Sequence, residues 1–145
     1  MLFRSCEVFL ANEKGSVEEI AEKWKMKSED LYCHGCKTDT TSIYCKECEI
    51  KLCAQSKELD YCFQCEDFPC EYLMELRNDE SPHHSIVLHN LKLIKDIGTK
   101  NWIEEQEKRW SCKKCNEKYP WYDDTCSNCG SSVRSCIDDE KELKE

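Results

Sequence analysis

The chain has 145 residues, 39% of them hydrophobic and 35% charged, with a formal net charge of −9. That length bounds it at one ordinary domain or two very small ones, whose thin core needs a staple beyond apolar burial. No window approaches the roughly 20 apolar residues of a membrane span, no apolar stretch near Met1 reads as a signal peptide, and an acidic field repels phosphate, so membrane and general nucleic-acid partners are disfavoured.

In chain order, Ser16-Val17-Glu18-Glu19 reads as a capping box. It opens a helix from about Val17 to Lys25 with Ile20 and Trp24 at packing positions. Asp30-Leu31-Tyr32 leads into a run of eight cysteines between Cys33 and Cys70, which includes the pairs Cys33/Cys36, Cys45/Cys48 and Cys62/Cys65. The triplet Cys45-x₂-Cys48-x₄-Cys53 recurs 17 residues later as Cys62-x₂-Cys65-x₄-Cys70. Glu49 to Leu59 reads as a short helix between the copies, and Pro69 suits the first position of a helix from Cys70 to Arg77. The third cysteine of each copy would then lie in the first turns of a helix, where the positive end of the dipole favours a thiolate.

Asn78 to Ser81 is a polar break, and Ser81-Pro82 is a helix start. Val87, Leu91 and Ile94 follow at helical spacing, with Gly98 as the expected C-cap. A further helix, about Lys100 to Arg109, carries Trp102, Ile103 and Gln106. Then comes Cys112-x₂-Cys115-x₁₀-Cys126-x₂-Cys129-Gly130, the pattern of a short zinc ribbon. Its two pairs would sit at hairpin tips, with Gly130 supplying a left-handed turn and Trp110, Tyr119, Trp121 and Tyr122 wrapping the site. From Asp138 the tail is charged and expected to fray.

The cysteines carry the chemistry. A Cys-x-x-Cys turn brings two thiolates to one ion, and two such turns close a tetrahedral Cys₄ site. Disulfides need an oxidising compartment; without a secretory signal the expectation is reduced thiols, the cytoplasm and metal. The ligand set is Cys33, Cys36, Cys45, Cys48, Cys53, Cys62, Cys65 and Cys70 in the cluster and Cys112, Cys115, Cys126 and Cys129 in the ribbon. Twelve ligands give about three zinc ions. Iron, in a rubredoxin-like or iron–sulfur form, is the alternative, although the ferredoxin run that ends in Cys-Pro is absent. Loop closure favours a sequential grouping in the cluster, Cys33/Cys36/Cys45/Cys48 and Cys53/Cys62/Cys65/Cys70. The repeat argues instead for equivalent roles of Cys53 and Cys70, and leaves the grouping open.

His34, His83, His84 and His89 read as surface or partly buried residues, and Cys136 as a free thiol in a polar stretch. Cys6 is either a ligand or a packed thiol. No phosphate-cradling loop, catalytic set or small-molecule site is visible. Residues 92–118 carry eight basic and five acidic side chains, which reads as a solvated face rather than a nucleic-acid surface.

The run Leu31-Tyr32-Cys33-His34-Gly35-Cys36, then Tyr44-Cys45-Lys46-Glu47-Cys48, Lys51-Leu52-Cys53-Ala54 and Asp60-Tyr61-Cys62-Phe63-Gln64-Cys65-Glu66-Asp67-Phe68-Pro69-Cys70, resembles the domain of unknown function 3795 family. The resemblance covers about residues 6–78 and implies a prokaryotic, cysteine-rich, zinc-binding protein with no assigned reaction. Longer members carry an extension like Gly98-Thr99-Lys100-Asn101-Trp102 and the Lys108-Arg109-Trp110-x-Cys112 ribbon. Members begin with several cysteines, of which this chain keeps Cys6.

The expected fold is a small metal-stabilised α+β protein. It comprises a helix-rich cysteine domain with zinc knuckles over 1–80, a helical connector over 81–110, a zinc ribbon over 111–136 and a disordered tail over 137–145. The ribbon should fold as a unit separable from the cluster. The expected role is a non-enzymatic structural-zinc module that contacts protein through exposed aromatics such as Trp121 and Tyr122 or through the helix pair. An iron-based electron carrier is the alternative.

Overall fold

The computed structural model describes residues 5–144, and all of its regular structure is helical. The α+β expectation is corrected by this finding. Among the described residues there is no strand, only isolated antiparallel pairings of Ser111 with Lys118 and of Thr125 with Ser132. The cause lies between those pairings. Pro120 has no N–H to give a ladder, and the Trp121 backbone is committed elsewhere, its N–H to Ser5 O at 3.1 Å and its carbonyl to the Cys136 N–H at 2.6 Å.

Helix α1, Glu7–Lys14, was not expected from the sequence; its buried residues Val8, Phe9, Leu10 and Ala11 form a continuous run rather than a periodic stripe. It packs on α2, Val17–Trp24. Both helices end with a left-handed residue, Gly15 at φ 70° and Lys25 at φ 56°. The next N–H then reaches back to satisfy an orphan carbonyl, Ser16 to Ala11 and Met26 to Ala21, each at 2.9 Å. Ser16 is the N-cap of α2 but makes no side-chain capping bond, so the capping box is not formed there. Val8, Val17, Ala21, Leu31 and Cys33 make the first core, with Cys6, Ile20, Trp24 and Met26 packed against it.

Short helices α3, Ile43–Lys46, and α4, Glu49–Ser56, carry the first copy of the repeat. The second copy lies on a 3₁₀ turn, Cys62–Gln64, and at the start of α5, Glu71–Asn78. Ile50, Leu73, Val87 and Leu91 form the second core, joined by Cys48, Cys62, Phe63, Phe68 and Cys70 among others.

A 3₁₀ turn, Pro82–His84, precedes α6, Val87–Arg109. Val87, Leu91 and Ile94 are buried as their spacing predicts. Gly98, at φ 80° and ψ 159°, breaks α6. In a straight helix Asn90 and Trp102 would stand about 18 Å apart. Here Trp102 Nε1 reaches Asn90 Oδ1 at 3.3 Å, so the chain turns back at Gly98 and buries Trp102 completely.

The tail expected to fray is instead helix α7, Cys136–Lys144. Ser135 and Asp138 start it with the N3 half of a capping box, the Ser135 N–H donating to Asp138 Oδ2 at 2.9 Å. Asp139, 1% exposed, takes the guanidinium groups of Arg109 and Arg134. The third core contains Trp110, Tyr119, Trp121 and Cys136, with Cys6 and Val133 against it.

Candidate metal centre

The two C-terminal turns are built to one plan. Asn116 N–H donates to Cys112 O at 2.8 Å, and Gly130 N–H to Cys126 O at 2.9 Å. Each returning residue has positive φ, 60° at Asn116 and 69° at Gly130. The first cysteine's own N–H closes the turn, Cys112 to Glu117 O at 2.9 Å and Cys126 to Ser131 O at 2.8 Å. Such a turn aims N–H groups at sulfur. After the Ser131 hydroxyl, those of Cys115 and Lys114 pull Cys112 down; those of Cys129 and Asn128 also pull on Cys126, but burial and the Cys115 and Cys112 thiols leave it raised to about 11.

The four sulfurs converge. Cys112 and Cys129 are 3.6 Å apart, as are Cys115 and Cys126, and all four lie within 4.8 Å of one another. A regular tetrahedron of about 2.3 Å metal–sulfur bonds has edges of about 3.8 Å, so the set fits a four-thiolate ion such as zinc. Ser131, which the sequence reading missed, adds a hydroxyl 3.2 Å from Cys112 Sγ and 2.9 Å from Cys129 Sγ. It is the first cause of the lowered pKa of both thiols, drawing Cys112 down to about 6. Trp110, Tyr119 and Trp121 are buried together in the third core with Cys136, so Trp121 does not offer an exposed face; of the expected pair only Tyr122 is exposed.

The eight cluster thiols are less tightly drawn together. Among the described residues only the C-terminal set reaches the 4.8 Å closeness. Their neighbourhoods still divide in two. Burial raises Cys45, and the thiols of Cys36, Cys33 and Cys48 add to the rise against the Ser42 hydroxyl. Burial also raises Cys62, where the contributing thiols are Cys70, Cys53 and Cys65. Lys57 stands 3.2 Å from Cys65 Sγ and 3.1 Å from Asp67 Oδ2, a cation placed against one thiol of the second group. His34 is exposed between Cys33 and Cys36.

Cys53 lies inside α4, as the reading of Glu49 to Leu59 placed it, and Cys48 is the N-cap. One expectation about helix placement is corrected. Cys70 is the N-cap of α5, with Pro69 just outside the helix rather than at its first position. Cys136 remains a free thiol but is 2% exposed rather than in a polar surround, and burial pushes it up to about 12. His83 is held more firmly than a surface residue, with its ring stacked 4.3 Å from Trp121 and Nδ1 2.8 Å from Tyr122 Oη.

These features define a helical, cysteine-rich protein with a converged four-thiol set able to hold a metal ion. The chain belongs to the family described as Protein of unknown function (DUF3795), whose model matches residues 2–75, half of its length. No curated protein and no solved structure matches it. No described helix is long and apolar enough to cross a membrane.

Proposed function

We propose that this is a non-enzymatic protein-interaction module held together by structural zinc, with a zinc ribbon at Cys112, Cys115, Cys126 and Cys129. The convergence of those four sulfurs within 4.8 Å carries the reading. A closed four-thiolate set keeps no coordination position for water or substrate, which separates it from hydrolytic zinc. The two thiol neighbourhoods of the cluster support two further ions, one at Cys33, Cys36, Cys45 and Cys48 and one at Cys53, Cys62, Cys65 and Cys70. Zinc bound only by the folded chain contributes folding energy, about 10 kcal/mol or more per site in model peptides. Tyr32, Ile43, Tyr44, Leu52 and Tyr72 are large, apolar and about half exposed, and they supply the surface for a protein partner.

Elemental analysis of protein purified under reducing conditions tests the reading. Three zinc ions per chain, a colourless solution and unfolding on chelation are the expected results. One zinc or none per folded chain, or visible absorption with stoichiometric iron, would overturn it. Tyr44→Ser with Leu52→Ser should keep the zinc and weaken partner binding.

A further inference from the structure

Helix α5 is fixed on one side and open to solvent on the other. Leu73, fully buried, and Leu76 face the second core. At about 100° per residue the opposite side carries Glu71 and Glu75 in one stripe, with Tyr72 and Met74 flanking it. All four side chains are exposed, that of Tyr72 by about half.

The charge on this face is not compensated within the chain. From Glu66 to Glu80 there are six acidic side chains and one basic, Arg77. Arg77 is engaged elsewhere, donating to Asn78 Oδ1 at 3.1 Å and to Leu143 O of α7 at 3.3 Å. Asp67 has Lys57 and Asp79 has His84. The side chains of Glu71, Tyr72 and Glu75 have no hydrogen bond, ion pair or ring contact among the described residues. Two carboxylates one turn apart repel, and the helix dipole offsets this for Glu71 in the first turn but not for Glu75. Helix α2 has a like pair in exposed Glu18 and Glu22, yet no large exposed apolar side chain beside it. On α5 charge and apolar surface coincide. A second copy of this chain would bring four carboxylates together there, so like charge opposes self-association through this face.

We propose that the outward face of α5 docks a basic amphipathic segment of another protein. Lysine or arginine side chains of the segment meet Glu71 and Glu75, and its apolar side chains cover Tyr72 and Met74. Leu73 and Leu76 hold the helix in place beforehand, which lowers the cost of ordering on binding. The proposal rests on the interaction-module reading above and names the chemistry of the partner.

The test uses the full, zinc-loaded chain and two helical model peptides of one apolar pattern, leucine–lysine and leucine–glutamate. The lysine peptide should bind, shift the amide signals of residues 71–78 and weaken as salt is added. Tyr72→Ser with Met74→Ser should raise its Kd about tenfold or more through lost apolar burial. Glu71→Gln with Glu75→Gln should raise it about fivefold and flatten the salt dependence. Glu18→Gln with Glu22→Gln should leave it within about twofold, because charges away from the face are screened. No binding, equal binding of the glutamate peptide, equal weakening by the α2 pair, or a chain that dimerises until Tyr72 is replaced each overturns the proposal. Shifts confined to α3 and α4 overturn it as well but keep the interaction module. Zinc content is read on the same samples. A full count without peptide binding leaves structural zinc standing, and a folded wild-type chain without zinc overturns the zinc reading itself.

Discussion

Asp139→Ala tests how α7 is held. The Asp139 carboxylate is 1% exposed and takes the Arg109 guanidinium and, at 2.6 Å, Arg134 Nε. Removing one partner of a buried ion pair costs about 3–5 kcal/mol, because a charge is left buried and unpaired. Three features lower that figure here. The arginine side chains are 33% and 38% exposed, so water reaches them when the carboxylate is gone. Arg134 keeps Glu142, 2.5 Å from its other side. Asp139 Oδ2 and Arg109 Nε have no hydrogen-bond partner even in the intact cluster. The expected loss is therefore about 2–3 kcal/mol, or roughly 4–12 °C in melting temperature for a chain of this size.

Urea unfolding of the zinc-loaded protein measures the loss, and Cys136 reports where it occurs. Cys136 opens α7 and is 2% exposed. If α7 lifts off as a local unit, its alkylation rate, read by peptide mass, should rise about 30- to 140-fold, at about 1.4 kcal/mol per factor of ten. Asp139→Asn, which keeps the shape and removes the charge, should fall between the wild type and Asp139→Ala. An unchanged midpoint together with unchanged Cys136 labelling in Asp139→Ala would refute the reasoning.

Three further substitutions have defined outcomes. A Cβ at Gly130 meets nothing within 4 Å, so Gly130→Ala should cost only the left-handed backbone penalty, about 1 kcal/mol, and Gly130→Asn less, by comparison with Asn116 in the matching place; zinc content and urea midpoints check both. Asn12→Ala removes bonds to Val8 O, Leu31 O and the Cys33 N–H and should cost about 2–3 kcal/mol, with faster hydrogen exchange at the Cys33 amide. His83 is lowered to about 4, by burial first and then by the charge of His84. Because its folded value lies below the unfolded one, the stability from neutral His83 is complete above about pH 6.5 and is lost as pH falls toward 4. Partial exposure reduces that contribution to about 1–2 kcal/mol. The wild type should lose that much more than His83→Phe between these pH values, since thiolate protonation is common to both.

Much of this was legible because each signal was local. The Cys-x-x-Cys pairs, Gly98 as a helix end, Gly130 as a left-handed turn and the Val87–Leu91–Ile94 stripe need only neighbouring residues to be read. Two capping boxes show where local reading fails. Ser16-x-x-Glu19 has the pattern but forms no side-chain cap bond, while Ser135-x-x-Asp138 starts a helix in a stretch whose charge suggested fraying. What secures α7 is partly tertiary: Arg109, at the end of α6, joins the adjacent Arg134 to receive Asp139. The repeat misled for a different reason. Its spacers match in length but not in kind. Glu49-Ile50-Lys51-Leu52 continues directly into a helix, which places Cys53 inside α4. Glu66-Asp67-Phe68-Pro69 ends in proline, which keeps Phe68 out of helical geometry, so this spacer is not helical, and Cys70 stands as the N-cap of α5. That difference was present in the sequence and outweighs the equal spacing.

The separability of the C-terminal unit is decided by the same distinction between ligands and their surroundings. Everything the four sulfurs need lies between Cys112 and Ser131, including the N–H groups and the Ser131 hydroxyl. A fragment covering 102–145 should therefore bind one zinc ion. Its packing is not local. Trp121 N–H uses Ser5 O, the His83 ring covers the Trp121 face, Cys6 packs on the third core, and Lys14 reaches Glu117 at 2.5 Å. Trp102 would lose Asn90, its partner across the Gly98 turn. The fragment should hold its metal with the turns ordered and the aromatic core exposed, visible as dispersed amide signals for residues 112–131 but poorly dispersed indole signals. In the full chain, chelation at the C-terminal site should loosen the start of α1 as well, measured by hydrogen exchange over residues 8–11. A fragment with wild-type indole dispersion, or exchange in α1 that ignores the C-terminal ion, would mean that the shared core does not couple the two halves.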